Sequence, residues 1–519
     1  MKQFFHLLLT PSSFLLSPRS LLLALLTPSS FLLPPSSFLL TSCSETVGDA
    51  KQEAALPQIY PDYLGVTIPV GMAPLNFSMA DETVLRVDAV ITDHHGHGLH
   101  SQGEESVDFD LDDWHTLLGQ NRGDSLSVTV SAKYDDGWHT YSPFSVYVSP
   151  DSIDYGLCYR LIAPGHEVWS KMGIYERDLS SFDERPLIEN TQFEGCVNCH
   201  SFNRGDPDNM SLHIRGKHGA TLLKKADGSI TAYNTKTDQT LGFCVYPYWH
   251  PSGRYIAYST NATHQLFHSV DPNRIEVFDD ASDLQVYDVE KNELLLAPRP
   301  SPLAKQDSIY ETYPVFSPDG RSLYFCAARA VPEDSHYLDS IRYNLYRIDF
   351  DPAPGSFGNR IDTIIDAAAL DKSVSFPRPS YDGRFLCYTL SDYGQFSIWH
   401  HEADLYLLDL TTGQSRPMTE ANSEDTESFH NWSTNSRWLV FSSRRDDGLF
   451  TRPYFCHVDA KGTVTKPFML PQRNPRRFYR DRFLSFNVPD FITGPTRFDS
   501  RQACRAINDE SRTDFGVRK

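Results

Sequence analysis

The sequence predicts an all-β protein, and three observations support this prediction. The 519 residues include 26 Tyr and 32 Phe, and aromatic side chains favour strands. Several segments alternate apolar and polar residues with the period of a half-buried strand. A phrase of similar sequence recurs four times in the second half of the chain. We therefore expect an N-terminal β-sandwich-like domain followed by a β-propeller of five or six blades.

The charge of the chain argues against nucleic acid as a partner. There are 47 Lys and Arg residues against 67 Asp and Glu residues, which gives a net charge of −20. A phosphate backbone repels a chain of this charge. The hydrophobic content of 40% also excludes a disordered chain.

Residues 1–42 differ in composition from the rest of the chain. Lys2 and Arg19 are their only charged residues, and the phrase LLTPSSFLL occurs at Leu8 and again at Leu25. Prolines interrupt each apolar run, so no run reaches the ~20 residues of a membrane-spanning helix. We interpret this segment as an export signal.

The end of this leader resembles the lipobox of bacterial lipoproteins. Leu40, Thr41 and Ser42 precede Cys43, and in that family the mature chain begins at such a cysteine, with lipid on its thiol. The resemblance implies an exported protein that is anchored through Cys43 on the periplasmic side of the cell envelope or in the outer membrane. A plain secretory leader with an unrelated cysteine is the alternative.

The next segments are a short tether, 43–58, and a β domain, 59–161. Apolar and polar residues alternate in 83–92 and in 125–134, and Asp136-Gly137 is a hairpin signal between two strands. About 100 residues of short strands and turns predict the sandwich-like domain. From residue 162 onwards the alternation weakens.

The four repeats predict the second β domain. A glycine that favours positive φ makes the turn before the second strand in three copies, and the fourth copy has Ser436 there. The strand after each turn is apolar on both faces, as in a blade that is stacked between two neighbours. The repeats are YPYWHPSGRYIAYST at Tyr246, YPVFSPDGRSLYFCA at Tyr313, FPRPSYDGRFLCYTL at Phe376 and FHNWSTNSRWLVFSS at Phe429.

The repeats resemble those of TolB-like propeller proteins, which belong to the WD-repeat-like families. This resemblance covers about 246–470 and implies a propeller over 219–475 that offers a face to a protein partner. The segment from Thr221 looks like half of a further blade. The tail, 476–519, is a candidate to complete that blade and close the ring.

Cys196-Val197-Asn198-Cys199-His200 is a C-x-x-C-H sequence, the attachment signature of c-type haem. Two thioethers at this spacing meet the two vinyl groups of a porphyrin, and the adjacent histidine reaches the iron. We therefore predict one covalent haem in a segment, 162–218, between the two β domains, with His200 as the proximal ligand. Half of a zinc site and a redox disulfide are the alternatives.

The distal iron ligand is predicted from the segment that follows. Met210, His213 and His218 are the candidates, because a sixth ligand is His or Met. His213 is preferred because it shares a strand face with Arg215, which could pair with a propionate; His218 and then Met210 come next. A five-coordinate iron, which has no distal ligand from the protein, is a further alternative. The other cysteines are buried thiols or disulfides, and sequence does not choose between these states.

The whole chain resembles a group of exported propeller proteins of Bacteroidota, in which a lipoprotein leader, a β domain, a CxxCH segment and TolB-type repeats follow one another. The resemblance implies a location and a haem, but no reaction. We expect electron transfer or redox sensing through the haem, with the propeller as a protein-binding platform. The alternative is a non-catalytic binding scaffold in which haem is structural or absent. An enzyme that uses the haem is a third interpretation, and no catalytic residue is predicted.

Overall fold

A computed structural model describes residues 45–164, 171–238, 240–296, 309–331, 335–509 and 512–517. The predicted leader, 1–42, and the predicted lipid attachment site, Cys43, lie outside these ranges. Within these ranges, no helix combines the length and the apolar composition that a membrane span needs. The all-β prediction is confirmed, because strands dominate the described chain and its helices are short.

The N-terminal domain is a mixed sheet with one helix, α1 (Leu111–Gln120). Asp110 caps this helix by accepting hydrogen bonds from the backbone N–H groups of Asp112 and Asp113. The strands of this domain are β1 (Lys51–Glu53), β2 (Ile59–Tyr60), β3 (Thr67–Pro69), β4 (Ser78–Met79), β5 (Arg86–Thr92), β6 (Gly98–Gly103), β7 (Ser125–Tyr134), β8 (Gly137–Tyr141) and β9 (Phe144–Ser149).

The described strands of this domain join into one sheet of seven strands and one separate pair. Five strands run in the order β1-β8-β7-β5-β6, β9 links β7 to β3, and β2 pairs with β4. β1 belongs to the segment that was predicted to be a tether. The predicted sandwich is not confirmed, because these strands do not divide into two sheets of comparable size.

The rest of the described chain consists mainly of groups of four antiparallel strands, in a propeller-like arrangement. One parallel pair, Ser282 with Tyr310, joins the third and fourth groups into a single sheet, which a short strand of the tail extends to nine strands. The first group has three consecutive strands and gains its fourth strand from the tail. In chain order, the strands of the successive groups are β10 (Gly156–Ile162), β11 (Gly173–Asp178) and β12 (Glu184–Glu189); β13 (Cys196–Asn203), β14 (Asp206–Arg215), β15 (Ala220–Lys224) and β16 (Ile230–Asn234); β17 (Cys244–Trp249), β18 (Tyr255–Phe267), β19 (Ile275–Asp288) and β20 (Glu293–Leu296); β21 (Ile309–Phe316), β22 (Ser322–Arg329), β23 (Asn344–Asp351) and β24 (Ser356–Ile365); β25 (Ser373–Pro379), β26 (Phe385–Ser391), β27 (Asp404–Asp409) and β28 (Ser415–Pro417); and β29 (Glu427–Trp432), β30 (Trp438–Ser443), β31 (Arg452–His457) and β32 (Phe468–Met469).

The C-terminal tail contributes strands to several of these sheets. Its elements are α2 (Pro475–Asp481), β33 (Ser485–Ile492), α3 (Ser500–Asn508), β34 (Thr513–Asp514) and β35 (Gly516–Val517). β33 pairs with β10, where Gly156 lies opposite Ile492. The two short strands add to the edges of β16 and β20.

These pairings differ from the expected blade boundaries. The half blade predicted from Thr221 corresponds to β15 and β16, and it is completed by β13 and β14 from the preceding segment. The tail strand β33 completes the sheet of β10, β11 and β12 instead. The predicted boundary between 218 and 219 therefore falls inside a sheet.

The four repeats form the first two strands of four of these groups, as the propeller prediction requires. The turn between the two strands has positive φ in every repeat: 74° at Gly253, 71° at Gly320, 72° at Gly383 and 62° at Ser436. Glycine adopts this region without a Cβ clash, and the fourth turn adopts it with serine.

The second strand of each repeat is buried on both faces. The residues expected on one face, Leu386 and its equivalents, are fully enclosed, and the residues between them are enclosed as well. Both faces are covered because each sheet lies between two neighbours. The first set is Ile256, Leu323, Leu386 and Leu439; the intervening set is Ala257, Tyr324, Cys387 and Val440.

Candidate functional site

The C-x-x-C-H motif lies on β13, the first strand of its sheet. Cys196 is partly exposed, whereas Cys199 and His200 are buried, with 9% and 3% of their surface exposed. The strand ends at Arg204 and Gly205, whose φ angles of 51° and 74° turn the chain back into β14. The motif therefore lies on an edge strand of its sheet, with its second cysteine and its histidine buried.

The imidazole of His200 is almost completely buried and lies at the wall of a small cavity. Its Nε2 atom lies 3.4 Å from the carbonyl oxygen of Cys158 on β10. Its Nδ1 atom is buried and has no hydrogen-bond partner among the described residues. Burial lowers the pKa of His200 to about 4, because the charged imidazolium loses its hydration. His200 is therefore neutral at physiological pH.

The motif is held against the preceding sheet by Arg160. A guanidinium N–H of Arg160 donates a hydrogen bond to the side-chain oxygen of Asn198, between the two cysteines. The Nε atom of Arg160 is buried and has no hydrogen-bond partner within the described ranges. Burial lowers the pKa of Arg160, and the nearby side chain of Cys199 opposes this effect. A cationic group thus lies beside the thiols of the motif.

The structure does not bring the preferred distal ligand to His200. In the β13–β14 pairing, His200 lies opposite Leu212, so these two side chains share one face of the sheet. His213 follows Leu212 and points to the other face, where its ring lies 5.8 Å from that of Phe243. Since the two imidazoles lie on opposite faces of one sheet, they cannot bind the same iron.

The two other distal candidates are also placed elsewhere. Met210 lies opposite Phe202 and packs in an apolar cluster with Val197 and Leu212. It shares the face of His200, but two axial ligands must approach iron from opposite sides. His218 is half-buried in the turn between β14 and β15, where its carbonyl oxygen accepts a hydrogen bond from Arg512.

We tested whether these residues fit the porphyrin that the motif implies. The iron would have to reach a ring nitrogen of His200, but that ring is buried and its Nε2 atom faces the Cys158 carbonyl. Sheets that pack face to face lie ~10 Å apart, and side chains fill the space between them. A porphyrin beside His200 would force the sheets apart. As arranged, the residues do not fit a haem, and the haem stays a prediction from the motif.

The two alternatives for the motif find no support in the described ranges. Cys199 and the scattered cysteines of the described ranges are free thiols. No three His, Cys, Asp or Glu side chains of the described chain are grouped to hold a metal ion. The scattered cysteines are mostly buried, as expected for structural thiols.

The irregular strand pairing at the motif also occurs in the first strands of other groups. The pairing of β13 with β14 skips two residues, Asn198 and Cys199. The same irregularity occurs in the first strands β17, β21, β25 and β29 and in the tail strand β33. Cys199 therefore occupies the position that Pro247 has in β17. The residues skipped in the other strands are Tyr246-Pro247, Tyr313-Pro314, Phe376-Pro377, Phe429-His430 and Val488-Pro489.

The first of the two skipped residues forms an aromatic layer. Tyr246, Tyr313, Phe376 and Phe429 all have φ near 50°, which turns their side chains inward. Neighbouring ring centroids lie 4.6, 4.2 and 4.8 Å apart around this row. Such spacings allow favourable edge-to-face contacts, so the aromatic layer fills the centre of the arrangement.

A polar layer follows, formed by the residue directly after each skipped pair. Its members are His200, Tyr248, Val315, Arg378, Asn431 and Asp490. Asp490 accepts hydrogen bonds from Asn431 Nδ2 at 2.6 Å and from the backbone N–H of Phe202 at 3.0 Å. Burial raises the pKa of Asp490 to about 7. Apart from Val315, these side chains line one cavity.

The sequence alone did not reveal the polar layer. Arg378, Asn431 and Asp490 lie in phrases that were used only to recognise strands and turns. A signal was present: when the repeats are aligned on the aromatic residue, the position two residues later is Tyr248, Val315, Arg378 and Asn431. Three polar side chains among these four positions distinguish this position from a core position.

Comparisons with known proteins assign neither a family nor a function. No family model matches the chain, and no curated protein matches it. Among solved structures, a DUF4784 family protein from Bacteroides caccae is 7% identical, with a TM-score of 0.27 over 70% of this chain and 95% of that chain.

Two further solved structures show similarly weak likeness. A structural genomics protein from Bacteroides thetaiotaomicron is 10% identical, with a TM-score of 0.31 over 81% of this chain and 100% of that chain. The periplasmic gluconolactonase PpgL of Pseudomonas aeruginosa is 15% identical, with a TM-score of 0.33 over 65% of this chain and 100% of that chain. Likeness at this level does not transfer an activity.

Proposed function

We propose that this protein is a non-catalytic binding scaffold of the cell envelope, built on a six-bladed propeller whose end surface binds a protein partner. The N-terminal domain, which was predicted to be sandwich-like, braces the ring in this proposal. Asp151 contacts His457 and Asp62 contacts Lys466 across that junction, at 2.8 and 2.7 Å.

The contacts between first strands support the blade number. β13 contacts β17, β17 contacts β21, β21 contacts β25, β25 contacts β29, and β33 contacts both β29 and β13. The common irregularity in the pairing of these strands supports their equivalence. In this proposal β33 is the innermost strand of the first blade, and it joins the end of the chain to β10. Such closure removes the free sheet edges of an open array.

The aromatic layer is the observation that carries the scaffold proposal. Because the rings of Tyr246, Tyr313, Phe376 and Phe429 fill the centre, a macromolecular partner must bind at an end of the ring. In each blade of this proposal, the turn between the second and third strands lies at the same end of the ring, which we call the hairpin end. There, β18 and β19 extend beyond their neighbours, and Val270 at the tip is 94% exposed.

The extended hairpin is fixed in place by a buried polar cluster. Glu276 of β19 accepts a hydrogen bond from Tyr393 at 2.6 Å and lies 3.0 Å from Nε2 of His400. Both partners belong to the segment between β26 and β27, two groups further along the chain. An element anchored in this way presents a preformed surface, which lowers the ordering cost of binding a partner.

Site-specific cross-linking tests the proposed binding surface. A photo-cross-linking amino acid at Val270 is expected to give a discrete cross-linked product in envelope preparations of the native host. The matched position is Lys461, which is also exposed but lies in the turn between β31 and β32, at the opposite end. Equal products from both positions, or none from Val270, would contradict binding at the hairpin end.

The cellular location is part of this proposal and depends on the sequence. Cys43 is proposed to carry the lipid that anchors the chain. Cys43→Ser should move the protein from the membrane fraction to the soluble fraction, because the lipid is the anchor. An unchanged membrane fraction would contradict the lipid attachment.

Electron transfer through a covalent haem is the second candidate function. The C-x-x-C-H sequence and the export leader favour it, because haem attachment to such motifs takes place outside the cytoplasm. The motif predicts Cys196 and Cys199 as the attachment residues and His200 as the iron ligand, although their present arrangement does not fit a haem. A haem stain after denaturing electrophoresis separates this candidate from the scaffold, since only covalent haem survives that treatment.

A further inference from the structure

A cavity lies beside the polar layer, at the end of the ring opposite the hairpin end. It is small, with a volume of about 30 Å³, and it is partly open to solvent. Its inner wall is formed by His200, Tyr248, Arg378, Asn431 and Asp490. Arg204 and Tyr381, from two turns between strands, lie at its mouth.

Arg378 is a cation with unused hydrogen-bonding capacity in this cavity. Its guanidinium lies over the ring of Tyr248, 5.5 Å from the ring centroid. It donates a hydrogen bond to the carbonyl oxygen of Pro377 at 3.0 Å. The carboxylate of Asp490 attracts this guanidinium electrostatically from across the cavity. A guanidinium has five N–H donors, and burial lowers the pKa of Arg378 because its charge is poorly solvated.

A second cation lies at the mouth of the cavity. Arg204 is exposed, and its guanidinium lies over the ring of Tyr381 at 5.1 Å from the centroid. It donates one hydrogen bond, to the carbonyl oxygen of Pro318 at 3.3 Å. Two guanidinium groups at different depths give the cavity a positive approach for a small anion.

The opposite wall carries an acceptor. The two oxygens of Asp490 accept hydrogen bonds from Asn431 and from the backbone of Phe202, and each oxygen has a further lone pair. A dianion such as phosphate would be repelled by this carboxylate. A singly charged ligand that also carries a donor group would satisfy both walls.

The polar layer is not required by the fold. Val315 holds the same position in β21 and is completely buried in an apolar cluster. An apolar residue is therefore compatible with this position of a blade. Polar side chains at the other positions cost desolvation unless they gain partners. Asp490, Asn431 and His200 have partners in the protein. The unused donors of Arg378 are therefore the groups that a ligand would satisfy.

We propose that this cavity binds a small monocarboxylate that carries a hydroxyl or amino donor. The carboxylate accepts the paired N–H groups of Arg378, a geometry that guanidinium favours, and the donor group bonds to Asp490. Arg204 attracts the anion at the mouth. This site is separate from the proposed partner surface at the hairpin end, so it goes beyond the scaffold function.

Isothermal titration with three probes tests the proposal: glycolate, acetate and inorganic phosphate. Glycolate should bind saturably and more tightly than acetate, which lacks the donor, and phosphate should bind least. Arg378→Gln should weaken glycolate binding about tenfold or more, because a charged hydrogen-bond partner is lost. Arg384→Gln is the matched control, since Arg384 pairs with Asp409 at 3.1 Å on the surface of the same sheet; its affinity should equal that of the wild type.

Three results would overturn the proposal: no saturable glycolate binding to the wild type, equal binding of acetate and glycolate, or tightest binding of phosphate. Circular dichroism checks that Arg378→Gln folds. If it does not, Arg204→Gln replaces it, because Arg204 is exposed and its loss leaves the core intact. Weaker glycolate binding by Arg204→Gln supports the proposal, and unchanged binding overturns it.

Discussion

The rings of Tyr246 and Tyr313 meet edge to face with 4.6 Å between their centroids, although they come from different groups of strands. Tyr313 also contacts Phe376 of the next sheet, at 4.2 Å. The hydroxyl of Tyr313 donates a hydrogen bond to the carbonyl oxygen of Gln395 at 3.2 Å. Tyr313 therefore connects the first strands of three consecutive groups, β17, β21 and β25.

Tyr313→Ala should destabilise the protein strongly. The substitution removes two ring contacts and leaves a cavity, which corresponds to a loss of about 3–5 kcal/mol in the free energy of unfolding. Tyr337→Ala is the control, because Tyr337 is 51% exposed; it should change the free energy by less than about 0.5 kcal/mol. Denaturant melts measure both. Similar losses for the two variants would show that the aromatic layer does not stabilise the ring.

The pairing of β33 with β10, which closes the ring in the proposed six-bladed propeller, predicts a contrast between two phenylalanines of the tail. Phe491 is 1% exposed and lies opposite Leu157 of β10, whereas Phe483, just before the strand, is 72% exposed. Phe491→Ala should cost about 3–5 kcal/mol of stability, and Phe483→Ala less than about 0.5 kcal/mol. If both variants melt like the wild type, β33 is not part of the folded ring.

The cluster that holds the extended hairpin predicts a specific pH dependence. Burial alone would lower the pKa of His400, but hydrogen bonds to Glu276 and Glu402 outweigh burial and raise it from 6.5 to about 9. A raised pKa in the folded state stabilises the protein below the unfolded value, and this stabilisation is lost as the pH rises through about 9.

His400→Gln isolates this contribution. Denaturant melts of wild type and variant at about pH 6 and about pH 9.5 give the difference in stability at each pH, and other titrating groups cancel in that difference. The advantage of the wild type should shrink by on the order of 3 kcal/mol at the higher pH. A constant difference would mean that the charge of His400 does not contribute to the anchor.

The repeat sheets were predictable because their signals are local. The turn at Gly253 and the alternation around Leu386 each depend on a few adjacent residues. Helix α1 was missed in a region predicted to contain strands and turns, although Asp110 is a good N-cap and Trp114, Leu117 and Leu118 share one face. The pairing of Gly156 with Ile492 was not predictable, since no local pattern specifies a partner that far along the chain.

The candidate site was predicted at the level of residue types but not of geometry. The spacing of Cys196, Cys199 and His200 matches a haem signature, and the same segment matches the first strand of a repeat. Cys196-Val197 and Cys244-Val245 occupy equivalent positions before the same irregularity. The sequence alone could not show whether His213 and His200 face the same side of the sheet. The two residues skipped in the pairing change which side chains of β13 share a face with those of β14, so the register of the pairing has to be known.

The mass of the mature protein tests the scaffold proposal most directly. The full chain is produced together with a cytochrome c maturation system, beside a c-type cytochrome as positive control, and compared with a variant that carries both Cys196→Ala and Cys199→Ala. We predict that the two masses differ only by the two substituted side chains, with no haem absorption in either protein. A wild-type protein heavier by one haem, with a reduced α-band that the variant lacks, would contradict the scaffold proposal and establish the electron-transfer function in its place.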